Sequence, residues 1–246
     1  MKVGLILIGD ELLSGLRQDK HMPQVLTFLK ARGLQLAWVR MVGDDRDLLV
    51  QTLRETMQSK EIVFSFGGIG ATPDDLTRQA AAAAAGVRLL RHPQAVALIE
   101  DCFGEGAYPN RIRMSELPDG CTLIPNSVNR MPGFKLGHHH FVPGFPNMSW
   151  PMIEWVLDNH YRQYFDSAPN VEQRWLLREV RESDLIPMME TLLQTFPDVR
   201  LSSLPSTTER RQIDFGLKGK SAAVQAAGEW FEARMLAGNT SCERLA

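Results

Sequence analysis

Six carboxylates stand in three adjacent pairs, each just beyond an apolar run. Asp10 and Glu11 follow VGLILI (3–8), Asp44 and Asp45 follow the run that ends at Val42, and Asp74 and Asp75 follow EIVFSF (61–66) and a glycine loop, GGIGATP. Carboxylates of this kind can hold a divalent cation against phosphate oxygens, activate water, or accept hydrogen bonds from a polar heterocycle. The glycines bring a different chemistry. Gly67, Gly68 and Gly70 can take φ > 0 and let a ligand approach the backbone, and with the first turn of the next helix they form a place for an anion. Bare backbone for an anion beside carboxylates for its metal or its donor groups points to a phosphorylated, nucleotide-like or pterin-like molecule.

Other motifs are weaker. Thr72-Pro73-Asp74-Asp75 has the form of a helix start, with Thr72 at the N-cap, Pro73 at N1 and Asp75 at N3. An aspartate there is also favoured by the helix dipole alone, so Asp74 by itself reads equally as an ordinary helix-start residue. A dinucleotide fingerprint fails because the third glycine is missing after Gly68-Ile69-Gly70. GKS (219–221) lacks the upstream glycine of a phosphate-binding loop, since Asp214 stands there. GLKG (216–219) imitates the loop of an RNA-binding domain but follows a strand. In GHHHF, a strand would put His138 and His140 on one face and His139 on the other, so a two-histidine metal site or, better, an edge-strand or interface role is expected.

The elements that must position these groups repeat. Val3–Ile8 reads as a strand buried on both faces. Met22–Arg32 reads as a helix stopped by Gly33, Leu34–Val42 as a second strand, and Asp45–Ser59 as a helix with Leu48, Leu49, Thr52, Leu53 and Met57 on its apolar side. Glu61–Phe66 is a third strand, and Asp74–Ala85 a helix with a close-packing alanine run. Three strand–helix repeats predict an α/β fold with a mostly parallel sheet, whose ligand lies beyond the carboxyl ends of the strands. That edge would gather all three acid pairs. Turns and short strands follow, then a strand at His138–Val142, a PGFP turn and a helix over 147–165 carrying Trp150, Trp155, Tyr161 and Phe165. DSAPN (166–170) reads as a linker. Beyond it, Val171–Val180, Ser183–Phe196 (capped by Ser183), Val199–Leu204, Arg211–Leu217 and Ala222–Met235 form a small α+β unit in βαββα order, with a loose tail after Gly238. The predicted domains are 1–165 and 171–236.

The 246 residues carry 27 Lys and Arg against 29 Asp and Glu, a net charge of −2, which argues against non-specific nucleic-acid binding. No apolar run is long enough for a membrane span. Three widely spaced cysteines, Cys102, Cys121 and Cys242, form no CxxC pair, so reduced thiols and a cytoplasmic setting are expected.

IGDELLSG, RQDKH, VGDD, GGIGATPDDLT and VPGFP occur here in the order found in the MoaB/Mog-like molybdopterin-binding fold, and residues 3–160 most closely resemble the N-terminal domain of CinA-like (competence/damage-inducible) proteins. Residues after 170 resemble the small middle domain of such chains. The resemblance implies a three-layer α/β sandwich that self-associates. For Mog-type relatives it implies a molybdopterin ligand, with acids at the positions of Asp44 and Asp75. For CinA-type relatives it implies a metal-dependent pyrophosphatase that cleaves ADP-ribose. In this chain Asp44, Asp75 and Glu11 would then be catalytic, Asp44 and Asp75 would hold Mg, Mn or Co, and Gly67, Gly68, Gly70, Thr72, Asp74, Asp10 and Gly144 (of VPGFP) would bind ligand. Ala71 replaces a proline usual in that loop. The deamidase domain that ends full-length CinA proteins does not follow, so no deamidase activity is expected. The leading expectation is the hydrolase; the alternatives are a molybdopterin-binding protein with little chemistry of its own, and a member that only self-associates and binds a partner through 171–236.

Overall fold

A computed structural model of the chain describes residues 1–166, 168, 170–209 and 211–245. β1 (Val3–Ile8) is buried along its whole length. It leads through the short α1 (Asp10–Leu13) into α2 (His21–Ala31), β2 (Leu36–Val42), α3 (Arg46–Met57), β3 (Ile62–Phe66) and α4 (Thr77–Ala85). β4 (Leu89–Arg91), α5 (Pro93–Phe103) and β5 (Glu116–Pro118) follow, with β4 and β5 paired antiparallel as a two-stranded sheet of their own. β6 (Thr122–Ile124), β7 (Gly133–Leu136), β8 (His139–Val142) and α6 (Pro146–His160) complete the unit of residues 1–165.

The main sheet runs β2-β1-β3-β8-β7-β6. β1 pairs parallel with β2 and β3, β3 pairs parallel with β8, and the return strands β7 and β6 are antiparallel. Alternation along β1 divides the core into two layers. Val3, Leu5 and Leu7 pack with Val25, Phe28 and Leu29 of α2 and Met152, Ile153 and Val156 of α6. Ile6 and Ile8 pack on the opposite face with Leu49 and Leu53 of α3 and Ala80 and Ala81 of α4. Each such Leu or Ile contributes about 1.5–3 kcal/mol by burial, so β1 is stable only with helices on both faces.

Three local expectations are corrected. On α3 the buried stripe is Leu49, Thr52, Leu53 and Thr56, whereas Leu48 is 48% exposed; the 3.6-residue period counted from Leu49 excludes its neighbour. α4 begins at Thr77, not Asp74. β8 is an interior strand between β3 and β7, so the edge-strand role of the histidines falls. His139 and His140 are core residues. Val63 O can only accept, so His140 Nδ1 carries the proton (3.2 Å) and Nε2 accepts from the Tyr161 hydroxyl at 3.1 Å. His139 Nε2 lies 2.9 Å from Thr56 Oγ1. Burial lowers the pKa of His139 to about 4 and that of His140 to about 3.

Residues 166–246 form a second unit. It contains β9 (Val171–Arg178), α7 (Glu182–Thr195), β10 (Arg200–Pro205), β11 (Gln212–Gly219), α8 (Ser221–Ala237) and β12 (Ser241–Arg244). Its antiparallel sheet has the order β10-β11-β9-β12. Trp175, Phe215 and Phe231 fill the core, the two phenylalanine rings stacked 4.3 Å apart. The tail expected to be loose is β12, paired with β9, because a sheet edge supplies partners that local sequence does not announce. Ser183 lies inside α7, whose N-cap is Arg181. GLKG lies within β11 and is no loop. Of the expected linker, Ser167 and Pro169 lie outside the described residues. The three cysteines are unpaired among the described residues, and there no helix is long and apolar enough to cross a membrane.

Candidate functional site

Because β1, β2 and β3 are parallel neighbours, Ile8, Val42 and Phe66 end at one edge of the sheet, and the three acid-bearing loops leave from there. The first two loops are joined through their carboxylates. The Asp10 N–H donates to Asp44 Oδ2 (3.1 Å), and the Asp44 N–H donates to Asp10 Oδ1 (3.0 Å). Burial pushes the Asp44 carboxyl above its ordinary value; the charges of Asp10, Glu11 and Asp74 push the same way, against the opposing Asp10 N–H. Asp45 does structural work, accepting from Leu48 N–H (2.8 Å) as the N-cap of α3.

The third loop is built by its glycines. Gly67 and Gly68 have φ of +101° and +67°. A Cβ on Gly67 would sit 2.5 Å from Ile8 O, so this turn accepts no other residue without moving β1. The Gly67 N–H donates to Val142 O (3.0 Å), which leaves Gly68 and Gly70 as the loop's remaining glycine amides. Gly70 lies outside the left-handed region; it is small because Asp75 Oδ2 stands 2.5 Å from where its Cβ would be.

Thr72–Asp75 is a turn of its own and not the start of α4. Asp75 N–H donates to Thr72 O (3.1 Å), while Asp75 Oδ2 accepts from Thr72 N–H (2.9 Å) and Thr72 Oγ1 (2.5 Å). The helix-start assignment of Thr72, Pro73 and Asp75 is therefore withdrawn. With it goes the dipole explanation for Asp74 and Asp75, since α4 starts at Thr77, whose N–H and hydroxyl are turned back to Gly68 O and Gly67 O (both 3.0 Å).

A buried cation lies beneath this loop. Arg78 is 2% exposed and donates to Gly70 O (2.8 Å), Glu116 O (2.9 Å) and Arg113 O (2.5 Å). Burial lowers its pKa, and Glu116 and Asp75 draw it back up. The only hint in the sequence is one arginine at the head of an alanine helix.

These pieces enclose a cavity of about 470 Å³. Glu11, Asp44, Gly67, Gly68, Gly70, Thr72, Asp74, Asp75 and Gly144 line it; Asp10 does not. Gly144 enters because the PGFP turn lies on the glycine loop, with its Cβ position 3.5 Å from Gly67 Cα. Arg17, Asn126, Asn129, Phe145 and Met148 also line the cavity and were missed, having no pattern in sequence to mark them. Arg17 Nη1 lies 3.6 Å from Glu11 Oε1.

Among the described residues no three His, Cys, Asp or Glu side chains form a metal-holding group. Asp44 and Asp75 each have one oxygen committed, to Asp10 and to Thr72, and each keeps the other. That donor set fits a site in which one or two carboxylates share a magnesium-like ion with phosphate oxygens, not a cage made by protein alone.

A family model described as "Probable molybdopterin binding domain" matches residues 4–163. A CinA-like protein from Desulforapulum autotrophicum is 33% identical over 216 residues, covering 81% of this chain and 50% of its own. One from Escherichia coli is 31% identical over 252 residues, covering 98% and 61%. The chain thus spans about half the length of the first of these relatives. The crystal structure of CinA from Thermoplasma acidophilum, a protein described as of unknown function, superimposes with a TM-score of 0.59 at 27% identity, covering 64% of this chain and 96% of its own.

Proposed function

Since the chain belongs to the family of molybdopterin-binding domains, alongside the CinA-like proteins, we propose that residues 4–163 bind molybdopterin or a closely similar phosphate-bearing pterin. The observation that carries this reading is the single 470 Å³ cavity faced at once by the glycine loop and by Glu11, Asp44, Asp74 and Asp75. The amides of Gly68 and Gly70 and the Arg78 charge beneath them would receive the phosphate, and the carboxylates would accept from the N–H groups of a pterin ring. The test is fluorescence of a pterin carried through purification, followed by titration with a pterin. Saturable binding lost on Asp75→Asn is expected; no binding by the wild type overturns the reading.

A second reading, a metal-dependent pyrophosphatase acting on ADP-ribose or a similar dinucleotide, is favoured by one feature. The crowding of Asp10, Glu11 and Asp74 around Asp44 is repulsive in the free protein, and a divalent cation would relieve it. Asp44 and Asp75 would hold that ion, whose contribution would be to neutralise phosphate charge. Glu11 would take the proton of a water whose oxygen bonds one phosphorus as the bridging P–O bond breaks, giving AMP and ribose phosphate. Chromatography of ADP-ribose incubated with the protein and Mg²⁺, Mn²⁺ or Co²⁺ separates the two readings: AMP release abolished by Asp75→Asn supports hydrolysis, and its absence with every metal leaves binding alone. Self-association is proposed from the same resemblance, and size-exclusion chromatography with light scattering tests it.

A further inference from the structure

The sheet of the second unit has an open side. β10 is an edge strand, and among the described residues its strand partner is β11 alone. The phase of that ladder follows from Ser206, whose N–H donates to Gln212 O at 2.8 Å. Alternation then turns the main-chain groups of Arg200, Ser202 and Leu204 toward β11 and those of Leu201, Ser203 and Pro205 away from it. Among the described residues the N–H and C=O groups of Leu201 and Ser203 meet no other partner. Edge strands are ordinarily blunted by charge, proline or a bulge. β12, at the other edge, carries Glu243 and Arg244. The middle of β10 is Leu201-Ser202-Ser203-Leu204, uncharged and in unbroken register with β11, with Pro205 only at its end.

An apolar row runs above this open side. α8 packs on β9, β11 and β12, and α7 on β10. Ser203 Oγ donates to Glu182 Oε1 (2.7 Å), which turns one face of α7 toward β10. That face continues from Glu182 to Ile186, Met189 and Leu193, at i+4, i+7 and i+11. Ile186 is 48% and Leu193 43% exposed, although both are large and apolar.

We propose that the β10 edge pairs with the β10 edge of a second copy of this chain, antiparallel across a two-fold axis at Ser202. The strand's own register selects this occupant. An axis at Ser202 sets Leu201 opposite Ser203 of the second copy, and every free N–H and C=O of those two residues is then paired. An axis at Ser203 would set Leu201 opposite Pro205, which has no N–H to give. One at Leu201 would set Ser203 opposite Val199, whose N–H already donates to Phe196 O (3.0 Å). The axis at Ser202 also brings the Ile186–Leu193 row of each copy beside that of the other, over one continuous sheet. This gives the self-association proposed above a surface, and the test separates the two.

The test uses the full chain in size-exclusion chromatography with light scattering over a concentration series, for the wild type, Ile186→Lys and Leu193→Lys. Each substitution sets like charges across the axis at an exposed position, so dimers weakened at least about tenfold are expected, with an unchanged far-ultraviolet circular dichroism spectrum showing that the variants are folded. Ser202→Cys provides a positive readout. Ser202 is exposed and would face its own copy as a non-hydrogen-bonded pair, about 4.5 Å between Cα atoms, which a disulfide can span. Oxidation should give a disulfide-linked dimer joined at that position, found by mass spectrometry of the digest and absent from the wild type with its three native cysteines. A dimer that neither lysine variant weakens and that Ser202→Cys does not link overturns the β10 edge as the surface while leaving self-association intact. A monomeric wild type overturns both and leaves the edge to a strand from another protein.

Discussion

Asp10 and Asp44 hold each other through their main chains, the N–H of each donating to a carboxylate oxygen of the other at 3.1 and 3.0 Å. The pairing fastens the loop after β1 to the loop after β2 and keeps two negative charges side by side in a partly buried place.

That arrangement disfavours the charged form of Asp44. The folded pKa of Asp44 lies above its ordinary value of 3.8, so the folded chain keeps this proton to higher pH than the unfolded chain does. The resulting stabilisation is present at low pH and is lost as pH rises through the folded value. Asp44→Asn, which can still accept from Asp10, is expected to raise the melting temperature by about 1–3 °C at pH 7 and to remove that pH dependence, while weakening ligand binding more than tenfold. Melting curves at pH 4 and 7 with a ligand titration check it.

Arg78 spans three carbonyls from a buried position. Arg78→Leu strands all three and is expected to cost about 3 kcal/mol or more, whereas Arg78→Lys restores the charge without the fork and should recover only part of it. Urea denaturation of both variants measures the difference.

Gly67 and Gly15 separate conformation from space. Both have positive φ, but a Cβ on Gly15 meets nothing within 4 Å, whereas one on Gly67 meets Ile8 O. Gly15→Ala should cost about 1 kcal/mol and Gly67→Ala about 3 kcal/mol or more, as read from chemical denaturation.

The parts of this architecture legible in the sequence are those governed by local pattern. The apolar run of β1, the period of α2 and the break at Gly67–Gly70 each encode their element directly, and three parallel strands then gather Glu11, Asp44 and Asp75 at one edge. What was not legible depends on remote neighbours. The start of α4 moves to Thr77 because Asp75 is drawn into a turn with Thr72, and no propensity ranks those two alternatives. β12 exists only because β9 has a free edge for it. The burial of His139 and His140 follows from β8 lying between β3 and β7, an order set by a chain return through β6 and β7. Arg17 and Phe145 reach the cavity through loops whose course no periodicity describes.

Those buried histidines carry an acid dependence. In the fold His139 and His140 stay neutral down to about 4 and about 3, whereas in the unfolded chain they protonate near 6.5. Their effect is absent above pH 6.5, and stability falls as pH drops from there toward the folded values. At pH 5 the loss is roughly 2 kcal/mol for each, in the unit of residues 1–165. Residues 166–246 contain no histidine and should be unaffected between pH 7 and 5. Hydrogen exchange followed by mass spectrometry in each unit distinguishes the two.

The reach of Arg78 has a mechanical consequence. One rigid guanidinium plane touches Gly70 in the glycine loop and, 35 and 38 residues beyond Arg78 itself, the carbonyls of Arg113 and Glu116 where β5 of the two-stranded β4–β5 sheet begins. Displacing the loop by a fraction of an ångström must either break those bonds or drag β5 with it. If the cleft takes a ligand as proposed, the β4–β5 pair would be a remote gauge of its occupancy, read by a label on the exposed side chain of Arg91 or Leu90 without standing in the cleft.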